Sequence, residues 1–237
     1  MMKNLCVVFV CLLLAGSAFA QKTKPWGDWS KKDADKILND SAWGQSQTKG
    51  ESPAGLPQGA NAGNANRNAN AGANSVTIPT EYYMRVRLIS AKPIREGVAR
   101  RIQLAQPDKA SEMAGPLQNI IDKGFGDFII IALNAEGVDP RTGAMVMQGF
   151  SRLNTAALNG KAYLERKDGK RLELIEYQAP VGDNLGGKFL FPRTLDGAPF
   201  LSPDSGTLRF VLNGSDKMKV DTKFKVADMM YGEKLEY

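Results

Sequence analysis

The sequence contains no histidine, and its two cysteines, Cys6 and Cys11, both lie close to the start of the chain. With no histidine anywhere and no cysteine beyond Cys11, a Ser-His-Asp triad is excluded, and so is a cysteine nucleophile in the rest of the chain. Zinc and copper sites built on histidine or cysteine are excluded there too, and haem held by either residue is disfavoured for the same reason. The chemistry that remains uses carboxylates, lysine, tyrosine, or hard cations on oxygen ligands.

Both cysteines fall within an N-terminal segment that has the plan of an export signal. Lys3 precedes an apolar run from Leu5 to Ala15, and Ala18-Phe19-Ala20 gives a small-x-small end. The run is shorter than the roughly 20 apolar residues that span a membrane. We expect residues 1–20 to be a signal peptide cleaved before Gln21, without a lipid anchor, since no cysteine follows the small residues. The expected location is outside the cytoplasm, either periplasmic or extracellular.

The formal net charge of +6 is spread along the chain rather than concentrated. A nucleic-acid-binding protein usually gathers Lys and Arg on one face, so nucleic acid is disfavoured as a partner. A mildly basic surface of mixed sign is typical of a soluble protein.

Residues 21–49 predict a short helix flanked by Trp26, Trp29 and Trp43, the only tryptophans in the chain. Ser30 is a good N-cap, with Asp33 three residues later. A helix this short is not stable alone in water. We expect it to pack on the chain's own main domain; docking on a partner and disorder are the alternatives.

Residues 50–76 are of low complexity and rich in Asn, Ala and Gly. Such a composition cannot bury a core and is typical of a flexible tether. Residues 77–237 are long enough for a folded domain with a core.

This domain begins with an alternating pattern typical of a half-buried strand, Tyr82 to Ser90. Two helical stretches follow: one opens at Pro93, and the second is broken at Gly115-Pro116. Further strand patterns lie at residues 128–133, 161–166, 171–177, 188–191, 207–212 and 219–226. Asp168-Gly169 and Asn213-Gly214 indicate hairpins.

The expected fold is therefore mainly β within the α+β class. It is an antiparallel β-sandwich-like domain with a helical insertion after the first strand, preceded by the short helix and the tether. An open sheet with helices on one face is the alternative.

Two patterns that contain basic residues are interpreted as having no binding or catalytic role. The stretch from Arg85 to Arg101 is strongly basic, but only Arg85 and Arg87 share a strand face, and the helical arginines point to different sides. Ser46-Gln-Thr-Lys49 matches an S-x-x-K pattern, yet it lacks the K-T-G and S-D-N partners that this chemistry requires.

The acidic residues that could act in catalysis or bind a metal ion also lack the required spacing. Glu173 and Glu176 are three residues apart on a predicted strand and so point to opposite faces. Asn134, Glu136 and Asp139 lie near a glycine-containing loop without EF-hand spacing, which favours a plain turn, and Asp183 in a second such loop is no better. We therefore predict no catalytic, cofactor-binding or metal residue and no cofactor.

Three segments nevertheless resemble known proteins. They are WSKKDADKILNDSAWGQ (residues 29–45), FLFPRTLDGAPFL (189–201) and FKVADMMYGEKLEY (224–237). They are similar to a group of uncharacterised exported bacterial proteins with no assigned activity. The resemblance implies export and a shared domain, and it transfers no site residue.

Together these patterns favour an exported, non-enzymatic binding or envelope-associated module without a transmembrane segment in the mature chain. Another envelope protein or an envelope polymer is the candidate partner. The alternative is a glycosidase-like hydrolase that uses two carboxylates, since such enzymes need neither histidine nor cysteine.

Overall fold

The computed structural model describes residues 24–49, 81–214 and 218–237. Helices and strands take comparable shares of these residues, so the fold is α+β rather than mainly β. The described helices are α1 (Lys31–Asn39), α2 (Lys92–Ala105), α3 (Ala110–Lys123), α4 (Pro140–Ser151) and α5 (Thr155–Leu158). The predicted signal peptide and the predicted tether at 50–76 lie outside the described residues.

Within the described ranges, the strands form two larger antiparallel sheets and two small hairpins. The five-stranded sheet has the order β1-β2-β3-β7-β6, and the four-stranded sheet has the order β11-β10-β4-β5. The strands are β1 (Gly44–Lys49), β2 (Tyr82–Leu88), β3 (Phe128–Gly137), β4 (Ala162–Arg166), β5 (Arg171–Glu173), β6 (Glu176–Gln178), β7 (Gly187–Pro192), β8 (Thr194–Leu195), β9 (Ala198–Pro199), β10 (Thr207–Asn213), β11 (Lys219–Lys225), β12 (Met230–Tyr231) and β13 (Lys234–Leu235).

One hydrophobic core joins the two larger sheets. The rings of Phe189 on β7 and Phe210 on β10 meet edge to face, with 5.2 Å between their centroids. At the other end of the five-stranded sheet, the Gln47 amide on β1 donates to the main-chain oxygen of Asp221 at 2.6 Å and to Thr222 Oγ1 at 2.7 Å. Alternation along β2 and β11 sends their apolar side chains into this core.

The helical insertion after β2 is present, but its predicted break is not. Helix α3 runs through Gly115 and Pro116 without interruption. A residue before proline usually avoids the helical conformation because its Cβ meets the proline ring, and Gly115 has no Cβ. Gly115 therefore allows Pro116 to sit inside a continuous helix.

The turn predicted around Asn134, Glu136 and Asp139 is present but shorter than expected, since only Val138 and Asp139 lie between β3 and α4. Asn134 and Glu136 belong to β3, and Asp139 is the N-cap of α4, where its carboxylate accepts from Arg141 N at 2.8 Å. The chain reverses sharply there, since a Cβ on Gly143 would lie 2.8 Å from Gly137 N.

The single strand predicted from Arg171 to Tyr177 is also wrong. The chain leaves the four-stranded sheet after Glu173 and enters the five-stranded sheet at Glu176. Leu172 is buried in the first sheet and Tyr177 in the second. The chain must therefore cross from one sheet to the other between these two residues, which breaks the strand.

The N-terminal helix packs on the chain's own domain, as expected. Leu38 of α1 is 1 % exposed and lies against Gly97 of α2, where a Cβ would be 3.1 Å from the Leu38 Cγ and Cδ2 atoms. Trp43 is buried beside the C-terminal hairpin, donating from Nε1 to the main-chain oxygen of Glu236 at 2.8 Å and meeting the Tyr231 ring edge to face.

Strand β1, which the sequence did not predict, makes this segment part of the larger sheet. In the register of β1 and β2, Lys49 lies opposite Tyr82. The chain between β1 and β2 therefore starts and ends at neighbouring positions on one sheet, so it connects two paired strands rather than two separate bodies.

The three segments that carry the resemblance meet in space. Besides the contacts of Trp43 with the C-terminal hairpin, Arg193 donates to the main-chain oxygen of Tyr237, and the Arg193 guanidinium lies 4.6 Å from the Tyr237 ring centroid. No helix among the described residues is both long and apolar enough to cross a membrane.

Candidate functional site

A polar hollow lies where the N-terminal segment joins the five-stranded sheet. Its volume is about 500 Å³ and it opens to solvent. Every lining side chain is polar: Asn39, Asp40, Ser41, Gln45, Ser46 and Arg85. Three structural elements build it, namely the end of α1, strand β1 and strand β2.

A tight reversal between α1 and β1 shapes one wall of the hollow. The Ser41 hydroxyl donates to the main-chain oxygen of Ile37 at 2.6 Å and accepts from the main-chain N–H groups of Trp43 and Gly44. Only glycine fits at position 44, because a Cβ there would lie 2.3 Å from the main-chain oxygen of Leu38. The reversal is therefore set by Ser41 and Gly44.

Arg87 fastens the end of α1 to β2 beneath the hollow. Its guanidinium donates from Nε to the main-chain oxygen of Leu38 at 3.1 Å and from Nη2 to Asn39 Oδ1 at 2.7 Å. A cation at the carboxyl end of a helix also complements the helix dipole. Burial lowers the pKa of Arg87 to about 10, partly offset by Glu136, so the group stays charged at neutral pH.

Arg85 lies two residues earlier on the same strand face and reaches the wall of the hollow. It donates from Nε to Glu136 Oε2 at 3.0 Å and from Nη1 to Ser46 Oγ at 2.5 Å. Its side chain is 19 % exposed, and the guanidinium carbon lies 5.0 Å from the Tyr83 ring centroid. These partners hold the Arg85 guanidinium in a fixed orientation at the surface.

The rest of the basic stretch is scattered, as the helical spacing predicted. Arg95 donates to the main-chain oxygen of Ile121, Arg100 donates to that of Trp29, and Arg101 pairs with Asp35 at 3.7 Å. Each arginine joins α2 to a different neighbouring segment, so they form no common anion site.

The structure does not gather the polar residues of the two glycine-containing loops around one point. Glu136 is held by Arg85, Asn134 Nδ2 donates to the main-chain oxygen of Asn184, and Asp183 pairs with Lys188 at 2.6 Å. In residues 24–49, 81–214 and 218–237 there is no group of three acidic side chains suited to a metal ion.

The carboxylate pair considered for hydrolysis is divided between sheets. Glu173 ends β5 and Glu176 begins β6, and both are exposed. The S-x-x-K pattern lies on strand β1 instead of at a helix N-terminus, and Ser46 Oγ there donates to the main-chain oxygen of Asn39. Glu173 and Glu176 are therefore not placed as the two carboxylates of a glycosidase. The S-x-x-K residues are not placed as in enzymes that use this motif.

One buried carboxyl group lies at the joint between α2 and the C-terminal hairpin. Glu96 is 5 % exposed and accepts from the Tyr231 hydroxyl at 2.5 Å. Burial raises the pKa of Glu96, with the Tyr231 bond acting against it. Glu96 does not line the polar hollow at Arg85.

A second polar hollow, of about 410 Å³, lies beside the β4–β5 turn. Its arginine, Arg166, is bound to Asp168 and donates from Nη1 to the main-chain oxygen of Phe200 at 2.8 Å. The hydrogen bond from Arg166 lowers the pKa of Asp168 to about 2. The ion pair of Arg166 with Asp168 belongs to the β4–β5 hairpin turn, which forms one wall of this hollow.

Sequence reasoning noticed that Arg85 and Arg87 share a face but missed the hollow. The missing information was the position of Asn39 to Ser46 across that face, which follows from the pairing of β1 with β2. Comparison of the chain with family models, with curated proteins and with solved structures finds no match.

Proposed function

We propose that the protein is an exported, non-enzymatic binding or envelope-associated module whose ligand occupies the hollow at Arg85. The observation that carries this proposal is a wall of polar side chains already fixed by their own hydrogen bonds. Arg85 is oriented by Glu136 and Ser46, and Asn39 is oriented by Arg87. Side chains held in place lose less rotational freedom on binding, which favours recognition.

The electrostatics of the acidic side chains support binding rather than hydrolysis. Hydrolysis by two carboxylates requires one group whose raised pKa lets it act as an acid. Arginine neighbours instead lower the pKa of Glu165, Asp168 and Asp221. Glu96, whose pKa is raised, is buried against Tyr231.

The proposed scaffold is a sandwich-like pair of antiparallel sheets with α1 fastened to the outer face of the larger one. The ring contact between Phe189 and Phe210 supports face-to-face packing, as do the bonds from Gln47 to β11. A packed pair of sheets gives the loops and edges around it a rigid base, which is where binding residues commonly lie.

Export is proposed from the sequence of residues 1–20. The apolar run and the Ala18-Phe19-Ala20 end are typical of a cleaved signal. N-terminal sequencing of the protein from its native host should give Gln21 as the first residue. A product that retains Met1 or Met2 would contradict the proposal.

The binding proposal is tested with a panel of neutral oligosaccharides, acidic oligosaccharides and short peptides on the mature chain. Arg85→Gln removes the charge at the hollow, and Arg171→Gln is the matched control, since Arg171 pairs with Glu165 on the other sheet. We expect one class to bind, and we expect Arg85→Gln to weaken that binding while Arg171→Gln leaves it unchanged. Binding that is indifferent to Arg85, or hydrolysis of the oligosaccharides, would contradict the proposal.

A further inference from the structure

The charges around the Arg85 hollow cancel. Arg85 and Arg87 supply two positive charges, and Glu136 and Asp40 supply two negative ones. A neutral site gives a free anion no net attraction, and an anion placed against the wall also faces the carboxylate of Asp40. An acidic ligand therefore gains little from this surface.

The hydrogen-bonding groups of the wall are mixed in a way that suits hydroxyl groups. Asn39 Oδ1 already accepts from Arg87, so the Asn39 amide presents its N–H groups as donors. Asp40 presents a carboxylate that only accepts, and the Gln45 amide offers both a donor and an acceptor. A ligand hydroxyl donates one hydrogen bond and accepts others, so neighbouring hydroxyls can satisfy both kinds of group.

The side chains of the hollow favour a polar ligand over an apolar one. All six lining side chains are polar, and an apolar ligand would cover Asp40 and Gln45 without offering a hydrogen-bond partner to either. The volume of about 500 Å³ lies within the range of small-ligand sites. Openness to solvent suits one part of a longer chain that continues beyond the hollow.

From this charge balance and donor pattern we infer that the Arg85 hollow binds an uncharged, hydroxyl-rich saccharide. The inference rests on the proposed binding function and narrows its ligand to one chemical class. Its physical signature is affinity that does not depend on salt, since no net charge is neutralised on binding.

Isothermal titration calorimetry on the mature chain tests the ligand class directly. The probes are cellotetraose, maltotetraose and N-acetylated chitotetraose, compared with trigalacturonic acid, each at low and high salt. We expect a neutral probe to bind with the same affinity at both salt concentrations. The variants Arg85→Gln and Gln45→Ala should each weaken it by about tenfold, the effect of losing roughly 1.4 kcal/mol of hydrogen bonding, while Arg171→Gln binds like the wild type.

The outcomes distinguish failure of the saccharide inference from failure of the binding proposal. Preference for trigalacturonic acid, with affinity that falls as salt rises and depends on Arg85, would overturn the saccharide class and leave a binding site at the hollow. Failure of every oligosaccharide and peptide to bind there would overturn both. Circular dichroism of each variant distinguishes a lost contact from a lost fold.

Discussion

Replacement of Gly97 by alanine tests whether α1 packs on α2. An alanine Cβ at this position would lie 3.1 Å from the Cγ and Cδ2 atoms of Leu38, closer than ordinary contact. Leu38 is 1 % exposed, so its side chain has little room to move away. Overpacking of this kind costs about 1–3 kcal/mol.

The intrinsic preference of helices for alanine acts in the opposite direction. Replacing a helical glycine by alanine gains up to about 1 kcal/mol. Gly149 in α4 is the matched control, because a Cβ there meets only Met218 Sδ, at 3.9 Å. We expect Gly149→Ala to stabilise by up to about 1 kcal/mol, and Gly97→Ala to be less stable than Gly149→Ala by about 1–3 kcal/mol.

Urea unfolding of the mature chain measures these differences. In the Leu38→Ala background the two closest contacts of a Cβ at position 97 are removed, and Ile37 Cγ2 remains at an ordinary 3.5 Å, so the cost of Gly97→Ala should fall by about 1 kcal/mol or more. Gly97→Ala that stabilises as much as Gly149→Ala, with no coupling to Leu38, would refute the packing of α1 on α2.

Three further predictions concern the contacts of the N-terminal segment and of α2. A protease nick between residues 50 and 80 should leave both fragments together on gel filtration with blue-shifted tryptophan emission, since β1 stays paired with β2; separation of the fragments would contradict this. Trp43→Phe should lose about 1 kcal/mol in thermal unfolding, because the main-chain oxygen of Glu236 loses its partner; unchanged stability would count against that bond. Glu96→Gln should raise stability at neutral pH, because burial raises the folded-state pKa of Glu96 above its unfolded-state pKa. The ionised carboxylate then destabilises the fold fully above the folded-state pKa, and this penalty shrinks as pH falls below that pKa and is absent below the unfolded-state pKa. Stability curves of wild type and Glu96→Gln should therefore converge in acid, and a constant gap would exclude this cause.

Local patterns in the sequence predicted the elements whose own residues determine them. Alternation marked β2 and β11, and Pro93 marked the beginning of α2. The glycine turns at Asp168-Gly169 and Asn213-Gly214 join antiparallel neighbours as expected, and Gly169 has the positive φ of 83° that such a turn favours.

Elements that depend on distant partners were missed. Strand β1 reads GQSQTK and has no apolar alternation, so only its pairing with β2 makes it a strand. Helix α4 contains Gly143 and Gly149, which lower helix propensity, although Asp139-Pro140 was a usable start signal. The hollow depends on β1 and so could not be predicted from Arg85 and Arg87 alone.

Mapping of backbone amide shifts on the mature chain, titrated with the neutral oligosaccharides, tests the proposed site most directly. We expect the largest ¹H–¹⁵N shift changes at Asn39 to Ser46 and at Arg85, and we expect Arg85→Gln to remove them while Arg171→Gln retains them. Changes centred instead on the second hollow at Arg166, or no changes near Arg85 at saturating ligand, would contradict a saccharide site at the joint of α1, β1 and β2.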